Sequence, residues 1–363
     1  MKKDLQTKIR IKKVENPPYK VDGKIERFNP RNNLFQRKFW DPMVIKMSRE
    51  SDRKLIERLA KDEEGFSIKD FALWSGAWYV AHINNGEVSN DGGKGDSAGL
   101  YDWTGWDNGL REKLQSIQWQ GVQKYPFPIT EENRERITQE MKEAALYYGA
   151  SKAGICKLNR DWLFSHNYDY EKDRSEILDI DGRITTAVVM IFEMSAENIS
   201  KSPAMPASIE TGFGYSRMAF TSSSLAQCIR MLGYTAIPAG NDTALSIPLA
   251  IDAGLGQLGR SGLLVTPEYG ARVRIAKVLT DMPLKPDKPI DFGLTEFCNT
   301  CRQCALNCKA DAISFDTMSS EGPSFSNNGG VMKWYLHPEK CYQFWNENAL
   351  DCSTCISSCP FST

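Results

Sequence analysis

The stretch Phe297-Cys298-Asn299-Thr300-Cys301-Arg302-Gln303-Cys304-Ala305-Leu306-Asn307-Cys308 decides the C-terminal architecture. It is answered downstream by Cys341 and by Cys352-Ser353-Thr354-Cys355-Ile356-Ser357-Ser358-Cys359-Pro360. The first set has the spacing Cys-x2-Cys-x2-Cys-x3-Cys and the second Cys-x10-Cys-x2-Cys-x3-Cys-Pro. Three thiolates two residues apart can wrap one corner of a [4Fe–4S] cubane, while the fourth reaches a second cluster. The expected assignment is therefore crossed: Cys298, Cys301, Cys304 and Cys359 on one cluster, and Cys308, Cys341, Cys352 and Cys355 on the other. Zinc competes, because paired Cys-x2-Cys also suits a zinc ribbon. The run of four is poorly spaced for two separate tetrahedra. Lys309 replaces the usual proline after Cys308, and since that proline is not a ligand the effect should be modest. A disulfide framework suits short, core-poor secreted domains, and 363 residues can bury a core of their own. Cys156 and Cys228 stand apart and read as ordinary buried thiols.

Working outward, 45 Lys+Arg oppose 46 Asp+Glu, and 41% of residues are hydrophobic. That balance excludes intrinsic disorder. It offers no basic excess to neutralise nucleic-acid phosphates. No apolar stretch approaches the ~18 residues of a membrane-spanning helix. Residues 1 to 30 carry basic residues at Met1-Lys2-Lys3 and Lys12-Lys13, then Pro17-Pro18 and Gly23, and read as a solvated arm with no secretory h-region. Between 50 and 125 lie Trp74, Trp78, Trp103, Trp106 and Trp119 and a long loop from Asn84 through Gly95, whose residue types name no chemistry.

An alternating pattern begins at Thr130, an N-cap followed by Glu131 and Glu132. Ile137, Met141, Ala144, Ala145 and Tyr148 keep helical spacing up to Gly149. Strands are expected around Ala153-Gly154-Ile155, over 185–192 (TTAVVMIF), at Tyr234–Ile237 and over 272–279 (RVRIAKVL). A helix is expected from Met218 to Leu232, closed by Gly233. Gly254-Leu255-Gly256-Gln257-Leu258-Gly259 matches GxGxxG. A dinucleotide site needs a strand before that motif and a helix after it. Here the preceding segment contains Pro248 and the following one is strand-like, so a nicotinamide site is not expected. Gly254, Gly256, Gly259 and Gly262 still let backbone approach something closely, a large cofactor or simply a tight turn.

With those residues in view the chain resembles the corrinoid-dependent reductive dehalogenases. The resemblance rests on Gly214-Tyr215-Ser216-Arg217-Met218, Leu232-Gly233-Tyr234, Gly240-Asn241-Asp242-Thr243, Ala253-Gly254-Leu255-Gly256 and Gly259-Arg260-Ser261-Gly262-Leu263-Leu264. It continues through Arg274-Ile275-Ala276-Lys277-Val278, Asp287-Lys288-Pro289, Phe297-Cys298, Lys340-Cys341-Tyr342 and Cys359-Pro360-Phe361, with Phe28-Asn29-Pro30-Arg31-Asn32 early in the chain. It implies an α+β protein. A nitroreductase-like layered α/β corrinoid-binding domain over 131–290 would follow an N-terminal arm and aromatic, glycine-rich cap region over 1–130. A ferredoxin-like two-cluster domain over 291–363 would close the chain.

The resemblance further implies a cobamide, of cobalamin or norpseudo-B12 type, fed by two [4Fe–4S] clusters. The only histidines are His82, His166 and His337, and no Asp-x-His-x-x-Gly motif is present, in keeping with base-off binding without a histidine ligand. By resemblance Thr211, Ser216, Met218, Thr243, Gly254, Gly256, Gly259 and Gly262 contact that cofactor. Tyr215 is the implied proton donor; a tyrosine, ordinarily with pKa about 10, is a weak acid. A nearby cation stabilises a phenolate, and Arg274 matches that position, with Arg272 two residues away as the alternative. Asn241 matches a neighbouring polar group that bonds the tyrosine or the halide. A halogenated hydrocarbon calls for an apolar, aromatic pocket, for which Phe35, Phe39, Trp40 and the tryptophans of 74–119 are candidates.

The implied partners are a small organohalide, a membrane anchor subunit and a respiratory electron donor, with a homodimer open and nucleic acid not expected. The implied location is the outer face of the cytoplasmic membrane, reached by twin-arginine export, although this sequence shows no twin-arginine signal. Epoxyqueuosine reductase, a cytoplasmic tRNA-modifying enzyme, is the rival of similar length, and a two-cluster electron carrier without an active site is the rival of another class.

Overall fold

The computed structural model describes residues 10–48, 51–84, 126–170 and 172–362. The stretch 85–95 and Trp103, Trp106 and Trp119 lie outside the described residues. The elements that position the site are helix α1 (Ile68–Asn84), helix α2 (Glu131–Tyr147), strands β1 (Lys152–Lys157) and β2 (Thr186–Glu193), and helix α3 (Met205–Met231). Strand β3 (Ala236–Ala239), helix α4 (Ser246–Asp252), strand β4 (Val273–Thr280), helix α5 (Leu294–Cys301) and helix α6 (Pro338–Asn348) follow.

Four strands form one antiparallel sheet in the order β1-β2-β4-β3. Ile155 pairs with Val188, and Val188 with Val278. The unbroken apolar run of β2 has a direct cause: both faces of the strand are buried. Val188, Met190 and Phe192 pack toward α2 and α3 with Met141, Leu225 and Ile229. Ala187, Val189 and Ile191 pack on the opposite face with Trp162, Leu249 and Ile251. With core on both sides, alternation of polar and apolar residues has nothing to select it. Helix α2 starts as expected, with Thr130 and Asn133 forming a reciprocal capping box.

Helix α3 departs from expectation. It begins at Met205, not Met218, and runs 27 residues. Gly212 and Gly214 in its first half argue against helix on propensity alone. Both are demanded by neighbours. A Cβ on Gly212 would lie 2.4 Å from the Trp78 ring, and one on Gly214 would lie 2.8 Å from Cγ of Arg274. The consequence is that Tyr215 sits inside a helix and not on a loop. Gly212→Ala is expected to lower stability by about 1–3 kcal/mol through overpacking, measured as a lower midpoint of denaturant unfolding at unchanged slope.

The N-terminal arm is not a solvated tail over its described part. Lys12–Lys13 pairs antiparallel with Ile290–Asp291, and Lys20–Val21 with Val331–Met332. The Tyr19 hydroxyl donates to Asp252 at 2.8 Å. Arg37, 1% exposed, holds Asp41 at 2.6 Å and Glu339 at 2.5 Å. Its guanidinium lies 4.2 Å from the Phe325 ring centroid. The arm thus straps the α/β layer to the cysteine-rich end. GxGxxG is preceded by helix α4, contains the short strand Gln257–Leu258 and is followed by its hairpin partner Leu264–Val265, the reverse of a dinucleotide-binding order.

Candidate functional site

The C-terminal region is built from short helices broken at left-handed residues. Arg302 has φ 53° and Ala349 φ 65°. These turns send successive cysteines inward from different directions. Cys298, Cys301, Cys304 and Cys359 line one cavity with Arg260, Ser261, Phe297 and Phe361. Cys341 interacts with Cys308 and Cys352, and Cys355 with Cys341, Cys352, Cys304 and Cys308. The two groups are those of the crossed assignment, and Cys355 beside Cys304 puts them next to each other.

Burial pushes these thiols up, Cys298 to about 11 and Cys304 and Cys341 to about 12. Burial also raises Cys359, and raises Cys355 furthest of the five. Thiolates in such places need a positive partner, so metal entry must displace their protons. Among the described residues no three Cys, His, Asp or Glu gather closely enough for a single metal ion. With Zn–S near 2.3 Å, a zinc tetrahedron would draw its sulfurs to roughly 4 Å of one another. The wider spread fits a cubane.

The second centre lies where α1, α3 and β4 meet. Tyr215 projects from α3, and its ring stacks on Trp78 of α1 at 5.3 Å and 25°. Asn241, from the loop after β3, donates from Nδ2 to the Tyr215 hydroxyl at 2.7 Å. Cζ of Arg274 lies 4.9 Å from the centre of the tyrosine ring. Nη2 of Arg274 donates to Oγ1 of Thr211 at 2.9 Å, which fixes the guanidinium against α3. Its Nε is buried and has no hydrogen-bond partner among the described residues, an unspent donor beside the phenol. Because Asn241 occupies a lone pair of the phenol oxygen, the hydroxyl proton remains free to be donated elsewhere. Asn241 itself is exposed, so the trio opens on that side.

The model of the 4Fe-4S dicluster domain matches residues 297–363. Tetrachloroethene reductive dehalogenase of Sulfurospirillum multivorans is 37% identical over 62% of this chain and 50% of that one. The enzyme of the same name from Desulfitobacterium hafniense is 29% identical over 95% of this chain and 79% of that one. Over most of its length the chain is similar to the reductive dehalogenases. It spans about half the length of the first of these relatives. A solved catabolic reductive dehalogenase in complex with 3-bromo-4-hydroxybenzoic acid superposes at TM-score 0.66. That match, at 23% identity, covers 99% of this chain and 45% of that chain, and it shows a shared fold.

The structure separates the two arginine alternatives. Arg272 is spent elsewhere: it pairs with Glu193 at 3.1 Å and donates to Ser362 O at 2.7 Å and to Met194 O. Arg274 alone meets Tyr215. Several residues expected at the cofactor have other duties. Met218 is 0% exposed and packs in the core against the sheet. Ser216 donates to Ala77 O at 2.6 Å, tying α3 to α1. A Cβ on Gly254 or Gly256 would strike the carbonyls of Lys288 or Val265 at 2.4 Å, and one on Gly259 would lie 2.8 Å from the Val265 side chain, so these glycines serve the chain's own turns. Gly262 takes φ 74° and Thr243 φ 65°, the latter in the Asn241 loop.

The aromatic wall divides likewise. Phe35 packs on Tyr342 and Trp345, Phe39 stacks on Tyr170, and Trp40 lies on Phe325 and Arg31. These three serve the strap. Trp78, with Trp74 at 6.2 Å, is the part that reaches Tyr215.

Lys277 is a site residue that pattern reading passed over. Its side chain is fully buried, and Nζ donates to Gly240 O at 2.5 Å, Ala244 O at 2.7 Å and Ser246 Oγ at 3.0 Å. Burial pushes it down to about 8, with Asp242 pulling the other way. All three ammonium donors thus hold the loop that carries Asn241. A lone lysine inside the apolar strand 272–279 was the available signal. Lys277→Met leaves two buried carbonyls unpaired at about 1–3 kcal/mol each. The expected result is faster amide hydrogen exchange over 240–246 with α2 and β2 unchanged.

Proposed function

We propose that the protein reductively removes halogen from a small organohalide, a chlorinated ethene or ethane, at a base-off cobamide, with Tyr215 as proton donor. The observation that carries this reading is the Tyr215 hydroxyl, held by Asn241 at 2.7 Å under Arg274, in a homologue of enzymes named for tetrachloroethene. The unspent Arg274 Nε and the open Asn241 side fit an incoming group at this point.

The cobamide supplies a low-valent cobalt that delivers electrons to the halogenated carbon or its halogen. The chain's residues do the rest. The carbon–halogen bond breaks and the halide leaves with its electron pair. The two cysteine sets would hold the clusters that supply the two electrons, one at a time. Tyr215 gives its hydroxyl proton to the carbon, forming the C–H bond, and Arg274 stabilises the phenolate left behind. Asn241 holds the phenol oxygen in place, and the Trp78 face offers an apolar wall that keeps water from competing as proton donor. On this reading the donor side is an anchor subunit and a respiratory reductant at the outer face of the cytoplasmic membrane. Among the described residues no helix is long and apolar enough to cross a membrane.

The test is chloride release under reduced viologen by cluster-loaded, cobamide-loaded protein, across chlorinated ethenes, ethanes and phenols. Release from ethenes or ethanes supports the proposal. Absence of release from the whole panel, with turnover of epoxyqueuosine-containing tRNA instead, overturns it.

A further inference from the structure

Arg260 has no place in the chemistry above, yet it is 2% exposed. It lies in the hairpin between Leu258 and Leu264 and reaches out of the α/β domain into the cysteine-rich end. Its Nε donates to Cys298 O at 3.1 Å, and its Nη1 to Ser314 O at 2.8 Å and Asp316 O at 3.2 Å. Cζ lies 4.4 Å from the Trp334 ring centroid. These partners are neutral carbonyls and an indole face, so the charge is fixed but not cancelled. The same residue lines the cavity of Cys298, Cys301, Cys304 and Cys359, with exposed Arg302 on the same lining.

The other four cysteines are placed differently. Ala312 N–H donates to Cys308 Sγ at 3.3 Å, and Cys352 Sγ lies 3.2 Å from Oγ1 of Thr354 and 3.8 Å from Oγ of Ser202, all neutral groups, while Lys309 and Lys340 beside Cys308 and Cys341 are exposed and screened. The two cluster sites are therefore electrostatically unequal. Adding one electron to a [4Fe–4S] cluster adds one negative charge in a low-dielectric setting, where a fixed buried cation stabilises the reduced state.

We propose that Arg260 raises the reduction potential of the Cys298–Cys301–Cys304–Cys359 cluster above that of its neighbour, making it the first of the pair to be reduced. The inference rests on the two-cluster reading, and the experiment keeps the two apart. Anaerobically reconstituted full chain is titrated potentiometrically with dithionite, each one-electron reduction being followed by electron paramagnetic resonance. Iron and sulfide content of the wild-type protein tests the clusters themselves before any variant is made.

In the wild type two separate midpoints are expected. In Arg260→Gln the higher one should fall, changing the ratio of reduced to oxidised cluster at fixed potential by tenfold or more, which is 59 mV for one electron. The lower one should stay. Arg260→Lys keeps the charge and should keep the midpoint even if its thermal stability falls. Arg302→Gln, exposed and screened, should move the same midpoint less. Unchanged midpoints in Arg260→Gln, equal falls of both midpoints, or a fall in Arg260→Lys as large as in Arg260→Gln would each overturn the proposal. Should Arg260→Gln lose its iron, the lysine variant and Arg302→Gln decide: a retained midpoint in the first and a small fall in the second support the proposal, and any other pairing overturns it.

Discussion

Tyr215→Phe is expected to lower the rate of halide release by about 10²–10⁴-fold, the span typical of losing a positioned general acid. The substitution removes one oxygen and little else. The ring would still stack on Trp78, now at 5.3 Å, and would still lie beneath Arg274. Asn241 would lose its acceptor, but it is exposed and water can replace the bond. Stability should therefore change by about 0.5 kcal/mol or less. Cobamide and cluster content should be unchanged, which separates a chemical loss from a folding loss. A variant retaining full turnover would remove Tyr215 from the mechanism.

Cys359→Ala should abolish turnover and cost one cluster, and that cluster should be the one of Cys298, Cys301 and Cys304. The cause is the crossed geometry: Cys359 comes from the second cysteine set but faces the first cavity. Combining variants shows which cluster is lost. Cys298→Ala/Cys359→Ala should lose no more iron than either single variant, because both remove ligands from one cluster. Cys355→Ala/Cys359→Ala should lose both clusters. Uncrossed ligation gives the opposite pattern of iron content.

The cysteine sites were legible because cluster ligation is local chemistry written in spacing. The sheet was legible for a similar reason: runs such as 187–192 are apolar throughout when both faces are buried. What escaped reading was set by contacts distant in sequence. The first half of α3 was hidden by Gly212 and Gly214, whose reason is the approach of Trp78 and Arg274. The strap escaped because its strands are two residues long and pair with Ile290–Asp291 and Val331–Met332 far along the chain. The trio of Tyr215, Asn241 and Arg274 followed from resemblance; no local pattern links three residues on three elements. Met218 shows the limit of carrying roles by position, since one helical turn beyond Tyr215 the side chain already belongs to the core.

The most direct test of the account is the cobamide bound by the full chain after anaerobic cluster reconstitution, measured as cobalt per chain with the resonance spectrum of its cobalt(II) form. The account predicts one cobamide per chain, with no nitrogen splitting from a lower ligand, and a spectrum that changes in Tyr215 and Asn241 variants. Cluster-loaded protein that binds no cobamide, or binds it with a nitrogen ligand from the chain, would contradict it.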